Sequence, residues 1–330
     1  MNQNTNTKNF FSHEKATFVT IDEASETQKI DNFLLKVLKN VPKSHVYKIL
    51  RSGEVRVNKK RVDTTYRLKL EDLVRIPPIA IEGQKTQALE TPKVQQTAWL
   101  EASIIFEDEA LLVINKPSGY AVHGGSGLSF GVIELLRYLR PHAKFLELVH
   151  RIDRDTSGIL LIAKKRSALV NMHEMMRHNR IEKKYTMMVE GVWTEAKKTV
   201  ELMLKKTLTK IGERRVNVIE DDDHDEDQQL SKSIFYLKKV LGPYSLLEAK
   251  LITGRTHQLR VQLSHLGFPI LGDDKYGDFK LNKLLEKKGL KRMFLHAFSM
   301  KMKHPITEEP LELRAPLPRE LDAFVSQCHQ

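Results

Sequence analysis

The run Ile159–Ala163, inside the stretch HRIDRDTSGILLIAKK (His150–Lys165), has no polar residue at either alternate position. A strand there must be covered on both faces, which commits the chain to a layered core around it. Immediately upstream, five of the six residues His150–Asp155 are polar or ionisable, with two arginines and two carboxylates among them. Such a cluster cannot follow the strand into an apolar interior. It therefore lies at the strand's mouth, on an edge or loop where side chains can meet a ligand. From this segment alone, a capping or ion-pair role for the carboxylates is an equal reading.

The elements around this strand do not alternate regularly. A strand pair is expected around SIIFEDEALLVINKPSG and a helix at SFGVIELLRYL. The strand GILLIAK, the helix SALVNMHEMMRH and the strand YTMMVEGV follow, then strands at SIFYLKKV and SLLEAKLITG. This order predicts an α+β domain with a mixed, largely antiparallel central sheet over 99–330.

The N-terminal part has its own organisation. MNQNTNTKNFFSHEK lacks the basic-then-apolar layout of a secretory signal, and residues 1–19 are read as a disordered polar tail. Ile30, Phe33, Leu34, Val37 and Leu38 recur at helical spacing. A second short helix is expected in SHVYKILRSG, with Ser44 as N-cap and Gly53 as its stop. EVRVNKKRV then alternates, turns near Asn58–Lys60 and returns, and YRLKLEDLVRIPP adds a further strand. These elements form a small module over 20–80. Residues 81–98, with few aliphatics, are read as a linker.

Charge distinguishes this module. The 330-residue chain carries 54 Lys and Arg against 42 Asp and Glu, a net charge of +12 that favours a polyanionic partner. Lys43, Lys48, Arg51, Arg56, Lys59, Lys60 and Arg61 gather on the second helix and hairpin tip, where only Glu54 and Asp63 oppose them. A compact basic face of this kind suits a phosphate-tracking surface. VPKSHVYKILRSGEVRVNKKRV resembles the S4 (αL-type) RNA-binding domain, which presents basic residues to structured RNA.

Several motifs lead nowhere. GGSGLSFG at Gly124–Gly131 lacks dinucleotide-fingerprint spacing and is read as a loop. His173 and His178 are five apart, so on a helix they diverge by roughly 140° and cannot share a metal. The acidic run Glu220–Asp227 is read as a solvated loop. No apolar run approaches the roughly 20 residues of a spanning helix. The lone cysteine, Cys328, leaves no disulfide framework and points to a reducing cytoplasm.

The charge cluster gains meaning from a second segment, LITGRTHQLRVQLSHLGFPILGD. A helix is expected from about Thr256 to Leu266, with Leu259, Leu263 and Leu266 as its apolar stripe. His257, Arg260 and Ser264 fall on another side, and Arg255 and Thr256 stand at its start, where unpaired amides favour an anion. Brought near Asp153, Arg260 would keep that carboxylate ionised, fit to act as nucleophile or base on a nucleic acid.

Together HRIDRDTSG, TGRTHQLR…LGFPILGD, KKYTMMVEG and NKPSG…VHGGSG resemble the motifs of the RluA family of pseudouridine synthases, across essentially residues 20–325. The resemblance implies Asp153 as the catalytic aspartate, Arg260 as its ion-pair partner and Tyr185 stacked on the target uracil. It implies that Arg151 enters the space a flipped nucleotide leaves, and that His150, Arg154, Arg255 and His257 contact RNA beside the S4-like cations. Asp155 lies outside the signature and is read as structural. The implied reaction exchanges a C–N for a C–C glycosidic bond, with no metal and no cofactor. The implied partner is 23S rRNA or a large-subunit assembly intermediate, met by a monomer without membrane or nucleotide. The competing readings are transfer RNA or another ribosomal site, and a non-catalytic ribosome-assembly factor.

Overall fold

The computed structural model describes residues 15–38, 41–79, 94–124, 130–208, 214–219 and 228–328. The backbone divides into two units, Met1–Thr91 and Pro92–Gln330. The loop at 125–129, the acidic run Glu220–Asp227 and most of the expected linker and tail lie outside the described residues.

The first unit runs β1 (Thr17–Thr20), α1 (Ile30–Val37), α2 (Lys43–Arg51), β2 (Arg56–Val57), β3 (Lys60–Arg61) and β4 (Leu73–Ile76). Its strands lie in the order β1-β4-β2-β3, all antiparallel. The apolar spacing of both helices has its expected consequence. Ile30, Phe33 and Leu34 meet Val46, Ile49 and Leu50 over Val57, Val74 and Ile76. Two details correct the sequence reading. Ser44 lies inside α2, whose N-cap is Pro42, a residue with a ring-fixed φ suited to that place. The stretch read as tail already contains β1, which pairs with β4 from Thr17↔Ile76 to Thr20↔Leu73, because β-branched residues alternate along it.

The hairpin tip has Asn58 and Lys59 in left-handed backbone, as a two-residue hairpin turn requires. The Asn58 amide donates to Asp72 at 2.7 Å and its oxygen accepts the Leu73 N–H at 2.9 Å, tying the tip to β4. Lys43, Lys48, Arg51, Arg56, Lys59, Lys60 and Arg61 are all exposed. Arg61 also donates to the Ser52 carbonyl at the end of α2.

The second unit opens with α3 (Val94–Ala102), β5 (Ile104–Glu107), β6 (Leu111–Lys116), α4 (Val132–Leu139) and β7 (Glu147–Leu148). It continues through β8 (Ser157–Ala163), α5 (Arg166–Arg177), β9 (Glu182–Glu190), β10 (Lys197–Leu208), β11 (Arg214–Ile219), β12 (Gln228–Leu241) and β13 (Tyr244–Leu251). The last elements are α6 (Gln258–His265), α7 (Phe279–Lys287), β14 (Leu295–Lys303), β15 (Pro310–Arg314) and α8 (Arg319–Gln327). Part of the expected linker thus belongs to a helix, where Thr97 and Leu100 are buried and Trp99 packs on Tyr120 at 4.4 Å.

The sheet order is β11-β10-β12-β13-β9-β14-β8-β6-β5, with β15 beside β14 and β7 beside β8. Among the described pairings β14 with β8 is the parallel one, so the sheet is mixed and largely antiparallel. No described helix is long and apolar enough to cross a membrane.

Every residue of β8 is buried, as its composition required. Leu160 and Ile162 pack with Val132, Ile133 and Leu136 of α4, and α5 also packs against β8. The parallel junction with β14 is short, Ser157↔His296 and Ala297↔Gly158. At Gly158 φ is +110°, and a Cβ would stand 2.2 Å from the Ala297 carbonyl oxygen. A side chain is therefore excluded twice, by conformation and by contact. Ser157 Oγ accepts from Arg292 Nη2 at 2.7 Å and faces His296 Nδ1 at 2.8 Å, while His296 Nε2 reaches the Ala315 carbonyl at 3.2 Å.

Gly158→Ala should lower stability in urea titration by about 3 kcal/mol, the combined scale of a left-handed penalty and overpacking. Gly242→Ala, at φ +60° with nothing within 4 Å of the new Cβ, should lose only about 1 kcal/mol.

Candidate active site

Asp153 lies on the segment that feeds β8, and its carbonyl accepts the Thr156 N–H at 3.2 Å. The segment is moored from below by the end of β6. Lys116 is wholly buried, and its ammonium donates to the carbonyls of Pro117 (2.9 Å), Tyr120 (2.8 Å) and Arg154 (2.8 Å). Burial depresses its pKa to about 7. Ser118 Oγ donates to the Asp155 carbonyl at 2.8 Å, and the Gly119 N–H to that of Arg154 at 2.9 Å. NKPSG is thus the anchor of the charge cluster. Asp155 turns its side chain to Arg154 Nε at 3.2 Å, an ion pair rather than a cleft contact.

Arg260 comes from the far side of the sheet sequence, on α6. Its guanidinium is only 5% exposed and grips Asp273 with two bonds, Nε to Oδ2 at 2.7 Å and Nη2 to Oδ1 at 2.8 Å. Nη1 then reaches Asp153 Oδ2 at 3.2 Å. Burial opposes charge on this arginine, but the Asp273 and Asp153 bonds outweigh it and hold its pKa above the ordinary value. Burial also opposes charge on Asp273, and the bonds from Arg260 keep it below the usual carboxylate range. Asp273 additionally accepts the amides of Lys275 and Tyr276 at 2.8 and 3.0 Å.

The helix is more enclosed than its apolar stripe suggested, for Gln258, Leu259, Arg260, Val261, Gln262 and Leu263 are all buried. Side chains of its polar side bond to β12. Gln258 Nε2 donates to the Lys232 carbonyl and Ser233 Oγ, and Gln262 Nε2 to Ser231 Oγ. The start of the helix also departs from expectation, since the Arg255 N–H is taken by Gln258 Oε1 at 3.0 Å.

Tyr185, on β9, is buried, and burial followed by the Asp153 charge raises its phenol pKa above the ordinary value. His257 has left-handed backbone (φ 52°), with Nε2 3.9 Å from Asp153 Oδ1 and Nδ1 2.8 Å from the Tyr276 hydroxyl. The same hydroxyl oxygen accepts the Val216 N–H at 3.1 Å. Burial holds the His257 pKa below its ordinary value.

Arg151, Asp153, Tyr185, Arg255, His257 and Arg260 line one cleft of about 80 Å³. That volume leaves room for a planar base. Among the described residues no group of His, Cys, Asp and Glu is placed to hold a metal ion. Arg154 is exposed beside this cleft, pointing at Asp155.

His150 corrects the sequence reading. Its Nε2 accepts the Leu161 N–H at 3.1 Å, and burial, helped by the Lys183 charge, lowers its pKa to about 3. It is a neutral brace for β8 rather than a cation offered to RNA. Asp273 was missed in the sequence, although LGFPILGD contains it. The available signal was a buried arginine that needs a carboxylate partner of its own. His173 and His178 are separate, bonded to the Val149 carbonyl and to Glu174.

A carboxylate held by a buried arginine shares a cleft of the mixed sheet with a tyrosine, and the sequence around it places the chain among RNA-modifying enzymes. The chain belongs to the RNA pseudouridylate synthase family, whose model matches residues 110–265, while an S4 domain matches 28–74. It is 49% identical to the ribosomal large subunit pseudouridine synthase C of Pasteurella multocida, over 94% of each chain. It is 48% identical to the protein of that name in Escherichia coli (strain K12), over 96% of each. Among solved structures it is similar to human RNA pseudouridylate synthase domain containing 4, with TM-score 0.56 and 26% identity over 71% of this chain and 97% of that one. Human RNA pseudouridylate synthase domain containing 1 gives TM-score 0.55 and 28% identity over 67% and 86%.

Asp273→Asn should lower kcat at least tenfold with little change in KM, because Arg260 loses its orientation. Stability should fall by about 3 kcal/mol, the scale of a broken buried pair. Steady-state kinetics and urea titration separate the two effects.

His150 and His296 titrate in the native protein near 3 and 4 instead of 6.5, so the unfolded chain takes up protons first. The contribution of these two histidines is full above pH 6.5 and falls towards pH 4, by up to about 1.4 kcal/mol per pH unit for each histidine. In urea midpoints measured against pH, His150→Gln, whose side-chain oxygen can still accept the Leu161 amide, should remove about half of that slope.

Proposed function

We propose that this protein converts specific uridines of 23S large-subunit rRNA to pseudouridine, acting as a cytoplasmic monomer with Asp153 as the reacting carboxylate. The observation that carries the reading is the Asp153–Arg260 pair at the cleft floor, 3.2 Å apart and backed by Asp273. Arg260 keeps Asp153 ionised and aimed while Tyr185 offers an aromatic surface to a base. The names of the bacterial relatives support the large-subunit substrate.

The reaction breaks the N1–C1′ bond, turns the uracil and joins C5 to C1′. C5 gives up its proton and N1 gains one, so atoms balance without a co-reactant. Asp153 supplies the negative charge that meets the sugar or ring as the glycosidic bond opens. A uridine in structured RNA must leave its stack to reach Asp153, and Arg151 stands exposed at the cleft to occupy the vacated place. Arg154, Arg255 and His257 extend the contact around the cleft. The exposed cations from Lys43 to Arg61 supply sequence-independent phosphate attraction.

The test is carbodiimide mapping of pseudouridine on 23S rRNA from a deletion strain complemented with wild type or Asp153→Asn. Defined sites should vanish and return only with wild type, although Asp153→Asn binds RNA with nearly unchanged affinity. Persistence of every 23S site in the deletion strain would overturn the substrate, and transfer RNA would be mapped instead.

A further inference from the structure

Strand β9 sorts its charges by face. On one face Lys250 Nζ donates to Glu182 at 2.5 Å, and Lys184 Nζ lies 3.0 Å from Glu248. Lys183 alternates to the other face, the one that carries Tyr185 into the cleft. Its register partners are Leu251 on β13 and Met300 on β14, both apolar. Leu251 and Gly254 line the cleft, and a Cβ on Gly254 would stand 3.8 Å from Lys183 Nζ.

Lys183 is therefore an ammonium next to the cleft-lining Gly254, and among the described residues it lacks the ion-pair partner that Glu182 and Lys184, its neighbours on the strand, both have. Burial lowers its pKa, and no carboxylate acts to raise it. His150, close enough to feel the Lys183 charge, is held neutral by burial and partly by that charge. Arg151 and Arg255 add positive charge to the same cleft. A partly desolvated cation in this setting is costly until an anion arrives. Cations grouped around a low-dielectric cleft also raise the local potential for that anion.

We propose that Lys183 is a phosphate-binding residue of the active site, its ammonium taking a non-bridging oxygen of the phosphodiester that flanks the target nucleotide when the base enters the cleft. This rests on the reading that the substrate is RNA. It gives the cleft a backbone anchor beside its base site, so one element, β9, grips both parts of the nucleotide through Lys183 and Tyr185.

The test uses the full chain and an oligoribonucleotide carrying the target uridine, with methylphosphonate replacing one phosphate at a time. Wild type should lose about tenfold in affinity at one flanking position, the scale of a charge-assisted contact. Lys183→Met should lose about tenfold on unmodified RNA and nothing further at that position, with a salt slope shallower by about 0.7. Lys183→Arg should restore the position's sensitivity. Lys183→Met should also be at least as stable as wild type, since it removes an unpaired desolvated charge. Unchanged affinity, an equal further loss at every methylphosphonate position, or a loss of stability that Lys183→Arg does not repair would overturn the proposal. Pseudouridine formation by wild type on the unmodified oligonucleotide is followed in parallel, so a failed phosphate effect with intact turnover removes only the role of Lys183.

Discussion

A guanidinium as deeply buried as that of Arg260 is tolerable only if anions meet it from fixed directions, and the catalytic unit is arranged to supply them. Asp273 takes two of its nitrogens in a planar fork, a geometry that lysine could not reproduce. That grip leaves Nη1 aimed at Asp153. The Asp153 carboxylate is thereby oriented by Asp273 through Arg260. Tyr276 belongs to the same assembly, with its ring 5.2 Å from the Arg260 guanidinium and its hydroxyl 2.8 Å from His257 Nδ1.

The second constraint is the junction of β8 and β14. A parallel pairing between strands far apart in sequence brings the start of β8 against Ala297, and Gly158 permits the approach. Ser157, His296 and Arg292 then close the junction with buried hydrogen bonds. Asp153 leaves this junction from a defined point, while Lys116 holds the Arg154 carbonyl from the neighbouring strand. Position of the carboxylate is thus a product of packing on both sides of β8. The acid sensitivity of His150 and His296 is the chemical consequence of placing two neutral imidazoles at that strand.

The two units solve different problems. The first has a small core, two helices over a four-stranded sheet, and spends its exposed side chains on cations that attract any phosphate backbone. The second carries the base-sized cleft and the fixed carboxylate. Nonspecific attraction and chemistry are carried by separate cores.

The sequence by itself determined the two amphipathic helices of the first unit, the doubly buried strand β8, and the basic face from Lys43 to Arg61, because periodicity and composition act locally. It also marked Asp153, Tyr185 and Arg260 through motifs whose wording is short-range. It did not reveal β10 and β11, whose Lys-rich alternation looks like solvated chain until β12 pairs with β10, nor β1, which needs β4. The motif places His150 among the RNA contacts because its acceptor role depends on the Leu161 amide across the turn, and Asp273 was silent because its partner lies on another element. Those assignments belong to the tertiary structure alone. Burial and hydrogen-bond partners decide whether a charge is a ligand, a brace or a counter-ion, and both are set by residues distant in the chain.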